Sequence, residues 1–188
     1  MTAVRLSAKG GQRMNRVLAL MQDAFQSQQV RVGFLENATY PKTDGARLRD
    51  ALNRLSEAQK VEHPDWAPRL KAWANWSDKH HPTIHVAQVA FWNEFGTSTA
   101  KPRPFFRSMI GANSASWGDD LGQFLKDTKD SKRALSLMGI EISDQLKTSI
   151  TNWRPDNADL TVHIKGFNKG LTDNSDMKRA VDFEVVGR

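Results

Sequence analysis

Histidine is the residue type in this sequence best suited to metal binding or acid–base chemistry, and the chain has five: His63, His80, His81, His85 and His163. In the stretch HHPTIH, His81 and His85 are four residues apart, the spacing that places two zinc ligands on one face of a helix. Pro82 and the β-branched residues after it disfavour a regular helix there. No HExxH, calcium-loop or phosphate-loop motif accompanies the histidines. We therefore interpret them as surface or packing residues and expect no metal site.

Nucleophilic and two-carboxylate catalysis have no visible motif in the sequence. The serines lie outside any GxSxG context, and acids such as Glu36 and Glu94 form no recognisable pair. The chain contains no cysteine, which removes thiolate nucleophiles and cysteine-bound metals. We therefore expect no enzyme and assign no catalytic or cofactor-binding residue. A hydrolase in an unfamiliar fold is a distant alternative, and it would require a pocket with convergent polar groups.

Residues 93–110, NEFGTSTAKPRPFFRSMI, contain a glycine and two prolines, which restrict the backbone, and three phenylalanines. No obvious catalytic side chain accompanies them. The segment VAQVAFWNEF predicts a short helix that ends at Gly96, where glycine tolerates positive φ. Pro102 and Pro104 favour an extended connection over residues 96–104. Pro104 also suits the first turn of a following helix, over the segment PFFRSMIG.

This connection has two interpretations. It is either an ordinary linker between helices, with Phe105 and Phe106 in the core, or a stiff arm that contacts a neighbouring subunit. Core packing is favoured for the phenylalanines, whereas the role of Arg103 stays open. Our hypothesis is an arm in which Arg103 pairs with an acidic or carbonyl group of the adjacent subunit. The interface residues assigned on this hypothesis are Pro102, Arg103, Pro104, Phe105, Arg107, Trp66, Trp73 and Trp76.

The elements that must position these residues follow from apolar periodicity. Alternation in VRVGF, LTVHI and VDFEV predicts strands over residues 30–36, 160–165 and 181–186, the last two forming an antiparallel pair across a long loop. Helical spacing appears over residues 14–25, 117–125 and 133–150. Ser131 is the expected N-cap of the long helix. We therefore predict an α+β fold: a small, mainly antiparallel sheet packed against long helices.

Residues 44–80 differ in composition and read as a helical insertion within a single domain of residues 1–188. Half of the six tryptophans of the chain lie in this segment, at Trp66, Trp73 and Trp76. Core packing is the favoured role for any single ring, and only an exposed patch would indicate an interface. We expect the insertion to lie at the periphery of the sheet, with at least one of these rings near another chain.

Charge and hydropathy indicate whether the protein binds nucleic acid or enters a membrane. The net charge of +6 is spread over several segments with acids interleaved, which favours a solvated surface over a dense nucleic-acid site. A modest basic patch near passing DNA is compatible with it. The longest apolar runs, VLALM and VAQVAFW, are far shorter than the ~20 residues that span a bilayer. We expect a protein of the cytosol without a membrane partner.

Four segments, in order, resemble tail-component proteins of long-tailed bacteriophages. They are VGFLENATYP, VAFWNEFGTSTAKPRPFFRSMI, ALSLMGIEISDQLKTSI and KGFNKGLTDNSDMKRAVDFEV. This family includes lambda-type tail-completion proteins and other head–tail neck proteins. The resemblance covers most of residues 30–186, and its most specific elements are NEFGT with PRPFFR and the closing GFNK and LTD. The insertion departs from the family pattern, as do Gly170, Asn174, Ser175 and Ala180 in the closing motif.

The resemblance implies a structural virion protein with no cofactor, placed at the head–tail junction and assembled in the host cytoplasm. It implies a homo-oligomeric ring, a hexamer, that contacts neck, tail-terminator or tail-tube proteins. Genomic DNA would pass through the lumen without sequence-specific binding. A tail terminator that caps the tail tube is the alternative within the phage class. A DNA-binding module is the alternative outside it, and its basic residues should form one continuous stripe.

Overall fold

The computed structural model describes Ala19 and residues 28–187, except 35–36, 41–44, 81–82, 99, 155 and 174. The elements are β1 (Gln28–Phe34), α1 (Ala46–Asn53), α2 (Glu57–Glu62), α3 (Trp66–His80), α4 (Val86–Phe95), α5 (Phe105–Asn113), α6 (Trp117–Thr128), α7 (Ser131–Thr151), α8 (Asp159–Lys165), α9 (Asp176–Arg179) and β2 (Val181–Gly187). This mixture of helices with a small antiparallel sheet is the α+β class expected from the sequence. The helix predicted over residues 14–25 lies outside the described residues, apart from Ala19. None of the described helices is long and apolar enough to cross a membrane.

The described part of the sheet joins segments that are far apart in the sequence. β1 pairs antiparallel with β2, with Phe34 opposite Val181. The strands predicted over residues 30–36 and 181–186 are confirmed where the structure describes them. Arg31 lies opposite Glu184, and their exposed side chains form an ion pair at 3.5 Å between Nη1 and Oε1. The sheet therefore has a solvated face and a face available for packing.

The long helix α7 packs against this sheet, as predicted. Its N-cap is Asp130 rather than the expected Ser131, since the Asp130 carboxylate accepts a hydrogen bond from the Arg133 backbone N–H at 3.1 Å. Gly139 of α7 faces the ring of Phe183 in β2, and a β-carbon at this position would overlap the ring. The absence of a side chain at residue 139 therefore permits the close approach of helix and strand.

The strand predicted over residues 160–165 is wrong, because this segment forms helix α8. Alternation over five residues is short enough to fit one helical turn as well, in which Leu160 and Ile164 share a face. Both pack against the helices of the predicted insertion. Gly166, with φ of +81°, ends α8 in the left-handed conformation that commonly follows a helix. β2 consequently pairs with β1 and not with residues 160–165.

Two clusters of buried side chains hold the described residues together. The first gathers the sheet, α4, α5, α7 and α9 around Val86, Ala90, Phe105, Met109, Leu146, Ile150, Met177, Ala180 and Val181. The second joins the predicted insertion to α8 through Ala51, Leu55, Trp66, Leu70 and Leu160. The segment predicted as an insertion is therefore helical, and it shares with α8 a buried cluster separate from the sheet.

The two ends of this helical segment lie side by side. Thr39 and His85 form an isolated antiparallel bridge. Tyr40 N–H donates to the Ile84 carbonyl at 2.9 Å, and Val86 N–H donates to the Ala38 carbonyl at 2.8 Å. The chain thus leaves the body after β1 and returns next to its point of departure at the start of α4.

Candidate subunit-contact site

The NEFG and PRPFFR segments contact each other within the chain. Glu94, near the end of α4, is only 6% exposed. Its carboxylate accepts hydrogen bonds from the backbone N–H groups of Phe106 at 2.9 Å and Arg107 at 3.2 Å. These are N–H groups of the first turn of α5, which have no partner inside their own helix. The Arg107 guanidinium also binds this carboxylate, with Nε 2.7 Å from Oε1. Glu94 therefore caps α5 and fixes it against α4.

Gly96 and Arg103 close the connection between α4 and α5. Gly96 has φ of +78° and ψ of −179°, a conformation that is essentially restricted to glycine. The Thr97 N–H donates to the Ala100 carbonyl at 2.9 Å, so the chain turns instead of extending. Arg103 N–H then donates to the Asn93 carbonyl at 2.6 Å. We call the contacts of Asn93, Glu94, Gly96, Arg103 and Arg107 the clasp.

Arg103 was expected to pair with a neighbouring subunit. In the structure its guanidinium pairs with groups of the same chain. Its Nε donates to Asp156 Oδ1 at 2.8 Å and its Nη2 donates to the Asp156 carbonyl at 3.1 Å. Its Nη1 donates to Asn93 Oδ1 at 3.0 Å. The described residues of 96–104 therefore contact α4 of the same chain through Arg103, and the extended arm toward a neighbouring subunit stays a prediction.

Of the other interface residues assigned in this segment, only some are accessible. Phe105 is fully buried in the first cluster and cannot contact a subunit. Pro104 is half-buried as the N-cap residue of α5, one position before the expected first turn. Pro102 is exposed, and so is the Arg107 side chain at 58%. The interpretation of Phe105 as a core residue is therefore confirmed.

The three tryptophans of the predicted insertion differ in accessibility. Trp66 is 7% exposed, belongs to the second cluster and stacks on His63 at 4.0 Å between ring centroids. Trp73 and Trp76 are 42% and 53% exposed. The Trp76 ring stacks on His80 at 4.9 Å. Trp66 therefore serves the core, whereas Trp73 and Trp76 are available to a partner.

The largest aromatic exposure adjoins the clasp, on α4. Phe91, Trp92 and Phe95 are 59%, 41% and 53% exposed, and we call these three residues the aromatic surface. Phe91 and Phe95 pack on each other at 4.7 Å between ring centroids. The guanidinium of Arg107 lies over the Phe95 ring, 5.0 Å from its centroid. Three large rings are therefore held in water on one rigid helix.

A groove of about 240 Å³ runs beside the aromatic surface, between α4 and α5. Its walls are almost entirely apolar and come from Phe34, Ala87, Ala90, Phe91, Glu94, Phe95, Phe105, Phe106 and Arg107. We call it the aromatic groove. The Glu94 carboxylate is already bound by Arg107 and by the N–H groups of α5. The groove therefore offers chiefly apolar contact. Such a concave apolar surface suits a hydrophobic side chain of a partner.

A second, polar cavity of about 150 Å³ lies where the resembling segments converge. It is lined by Tyr40, Val89, Asn93, Arg103, Asn157, Lys165, Leu171, Thr172, Asp173, Asp176 and Met177. Burial raises the pKa of Tyr40 to about 12, and the carboxylates of Asp176 and Asp173 add to this shift. Burial also lowers the pKa of Lys165, against the opposing effect of Asp173. The wall of the cavity therefore mixes both charges around a neutral phenol.

Three of the charged groups that line this polar cavity pair with residues outside its lining. Asp173 binds Arg47 in a bidentate pair, at 2.5 and 2.7 Å between oxygen and nitrogen. Asp156 binds Arg103 as part of the clasp. Among the described residues, no group of three or more histidines or acids is placed to hold a metal ion. The polar cavity therefore joins distant segments of the chain. Within the part of the chain that the structure describes, two of its lining residues, Asn157 and Asp176, each keep one buried polar atom without a hydrogen-bond partner, Asn157 Nδ2 and Asp176 Oδ2.

The aromatic surface was missed from the sequence, although a signal for it was present. Helix α4 has apolar residues on all sides, a pattern typical of a helix that is covered all round. Its inner face packs through Val86 and Ala90, and its outer face has no cover within the described residues. The chain matches no protein-family model, no curated protein and no solved structure in comparisons with known proteins.

Proposed function

We propose that this chain is a structural subunit of a bacteriophage neck, which forms a homo-oligomeric ring at the head–tail junction and is needed for tail completion and head–tail joining. The observation that carries the proposal is the aromatic surface on α4. Phe91, Trp92 and Phe95 expose roughly 300 Å² of ring surface in total, given the size of aromatic side chains. The largest apolar patch on a typical monomer covers about 300–600 Å² and is often functional, so this surface is the best candidate for a contact with another protein.

The clasp supports an assembly role over a catalytic one. Its residues come from the segments that most resemble phage tail-component proteins, and each of them stabilises the junction of α4 and α5. Glu94 is buried as a helix cap, and Arg103 is tied to Asp156. These contacts make α4 a rigid platform, and a rigid surface loses less conformational freedom on association. The hexamer and the tail-tube neighbours are expectations that the resemblance implies.

The experiment that tests the location uses phage particles assembled with an epitope-tagged copy of the chain. We expect antibody label at the junction of head and tail in complete virions. Label at the head-distal end of isolated tails would contradict the proposal. Absence of the chain from purified virions would also contradict the proposal.

A substitution separates assembly from folding in the same particles. Phe91→Ser with Phe95→Ser should leave the fold intact, since both rings lie mainly in water, and should yield heads and tails that do not join. Val61→Ser is the matched control, because Val61 is 82% exposed and distant in sequence from α4. Normal joining of heads and tails with the double variant would show that the aromatic surface is not needed for assembly.

A further inference from the structure

On the basis of the proposed oligomer, we infer that subunits join head to tail, with the Trp76 ring of one copy seated in the aromatic groove of the next. The donor is the outer face of α3, and the acceptor is the groove between α4 and α5. A ring requires a heterologous contact of this kind, in which the surface offered differs from the surface that accepts it. The occupant is thus a second copy of this chain.

Size and composition of the groove favour one aromatic side chain. An apolar cavity of about 150 Å³ is known to take up benzene, and the aromatic groove of about 240 Å³ has room for the larger indole. Phe91 and Phe95 at its edge would face the ring, as aromatic pairs favour edge and offset contacts. The ion pair of Arg107 with Glu94 neutralises the rim, so the basic end of α3 is not repelled.

Trp76 is the best aromatic donor among the described residues outside α4. The other exposed aromatic side chains are Trp73 and Phe167. A cation lies over each of these two rings, whereas Trp76 stacks on the ring of His80. Arg69 lies 5.0 Å from the Trp73 ring centroid, and Lys165 lies 4.9 Å from that of Phe167. Trp76 is 53% exposed against 42% and 40% for these two.

His80 holds the Trp76 ring in position before any contact is made. The two rings stack at 4.9 Å, and His80 Nδ1 lies 2.8 Å from the Trp76 carbonyl. A side chain already fixed in one orientation loses less entropy on docking. Tryptophan is also one of the residue types enriched among interface hot spots.

The described rings account for part of the area that a stable contact requires. A specific interface buries ~800 Å² on each partner, with an apolar centre and a polar rim. The three rings of the aromatic surface supply roughly 300 Å² of that centre. On the donor side, Trp73 and Trp76 lie one turn apart on α3, so the second ring can cover Trp92 at the edge.

Two variants and their mixture test the inference by native mass spectrometry. The donor variant is Trp76→Ala, and the acceptor variant is Phe91→Ser with Phe95→Ser. Each alone should weaken the subunit contact roughly thirtyfold or more, as for an interface hot spot. An equimolar mixture restores one intact contact, between the groove of the donor variant and Trp76 of the acceptor variant. We expect it to form mixed dimers and nothing larger.

The controls separate this inference from the proposed function. Val61→Ser should assemble like the wild type, and circular dichroism should show that every variant is folded. A wild-type protein that assembles while Trp76→Ala assembles equally well would overturn the head-to-tail pairing and leave the proposed ring standing. Two deficient variants whose mixture gives no dimer would also overturn the pairing. A wild-type protein that is monomeric at all concentrations would overturn the proposed function, and this inference with it.

Discussion

At the scale of single residues, Glu94 connects the cap of α5 to the aromatic surface on α4. Its carboxylate caps α5 through Phe106 and Arg107, and the Arg107 side chain that it binds lies over the exposed Phe95 ring. One buried acid therefore sets the angle between two helices and the position of an exposed ring. Its effect on stability should be large for a single residue.

We expect Glu94→Ala to lower the free energy of unfolding by about 2–3 kcal/mol, because two N–H groups of the first turn of α5 and the Arg107 guanidinium lose their acceptor. Urea denaturation measures this value. Glu184→Ala is the matched control, since Glu184 forms an exposed pair with Arg31 and should cost less than about 0.5 kcal/mol. Equal effects of the two substitutions would show that the cap contributes no more stability than an exposed ion pair.

Arg103 should behave as a folding residue and not as an interface residue. Its guanidinium is 21% exposed and its partner Asp156 is 23% exposed, both within the same chain. Arg103→Ala should therefore lower the free energy of unfolding by about 2 kcal/mol. Arg103→Lys should recover little of it, because one ammonium cannot reproduce three directed hydrogen bonds. A loss of assembly with unchanged thermal stability would restore the arm hypothesis instead.

Tyr40 provides a pH-dependent test of the polar cavity. Its pKa is raised from 10.0 to about 12 by burial first and by Asp176 and Asp173 next. Between these two values the unfolded chain loses the phenolic proton while the folded chain keeps it. The stability contributed is therefore complete below the lower value and is lost as pH rises toward the upper one.

Ultraviolet titration isolates this residue, because Tyr40 is the only tyrosine of the chain. We expect the phenol to ionise near its ordinary pH in urea and about two pH units higher in the folded protein. Tyr40→Phe should remove the absorbance change and flatten the fall of stability in that range. A folded-state midpoint equal to the value in urea would show that the phenol is freely hydrated.

At the scale of elements, periodicity predicts well where the pattern is long and one face is buried. β1, β2, α4, α6 and α7 lie where the sequence places them. The segment at residues 160–165 does not, since five alternating residues fit either period and its partners are distant in sequence. Asp159 at its start and Gly166 after its end are helix boundary signals that favour α8. Tertiary contact with Leu70 and Ala51 decides the outcome.

The candidate site was predicted less well than the elements. The segment around PRPFFR was identified, but an extended arm was expected where the chain turns back after Gly96. No local pattern reveals that Glu94 would reach the N–H groups of Phe106 and Arg107 across the connection. The exposure of Phe91, Trp92 and Phe95 depends on how few elements cover α4, which is a property of the complete packing.

Removal of the segment over residues 44–80 tests whether it is an insertion. The bridge between Thr39 and His85 keeps its ends together, so a short glycine–serine linker can join them. We expect the remaining chain, with Leu160→Lys to protect the surface left on α8, to unfold cooperatively in urea. Its m-value should fall, because less surface is exposed on unfolding. Loss of a cooperative transition would mean that the two buried clusters fold only together.

At the scale of the whole molecule, the two clusters support two separate surfaces. One is the acceptor and the other is the donor of the proposed subunit contact. The first cluster supports α4 and the aromatic groove, and the second supports α3 with Trp73 and Trp76. The net charge of +6 is compatible with a lumen that does not repel DNA. In the proposed ring, the aromatic rings join the subunits.

Native mass spectrometry of the wild-type chain, over a range of concentrations, tests the central claim most directly. The account requires one discrete closed oligomer, for which the resemblance implies six copies, in equilibrium with monomer. The same spectrum for Phe91→Ser with Phe95→Ser should show monomer at concentrations where the wild type assembles, because its contact is weakened roughly thirtyfold or more. A wild-type protein that is monomeric throughout, or a continuous ladder of oligomers without a closed species, would contradict the ring.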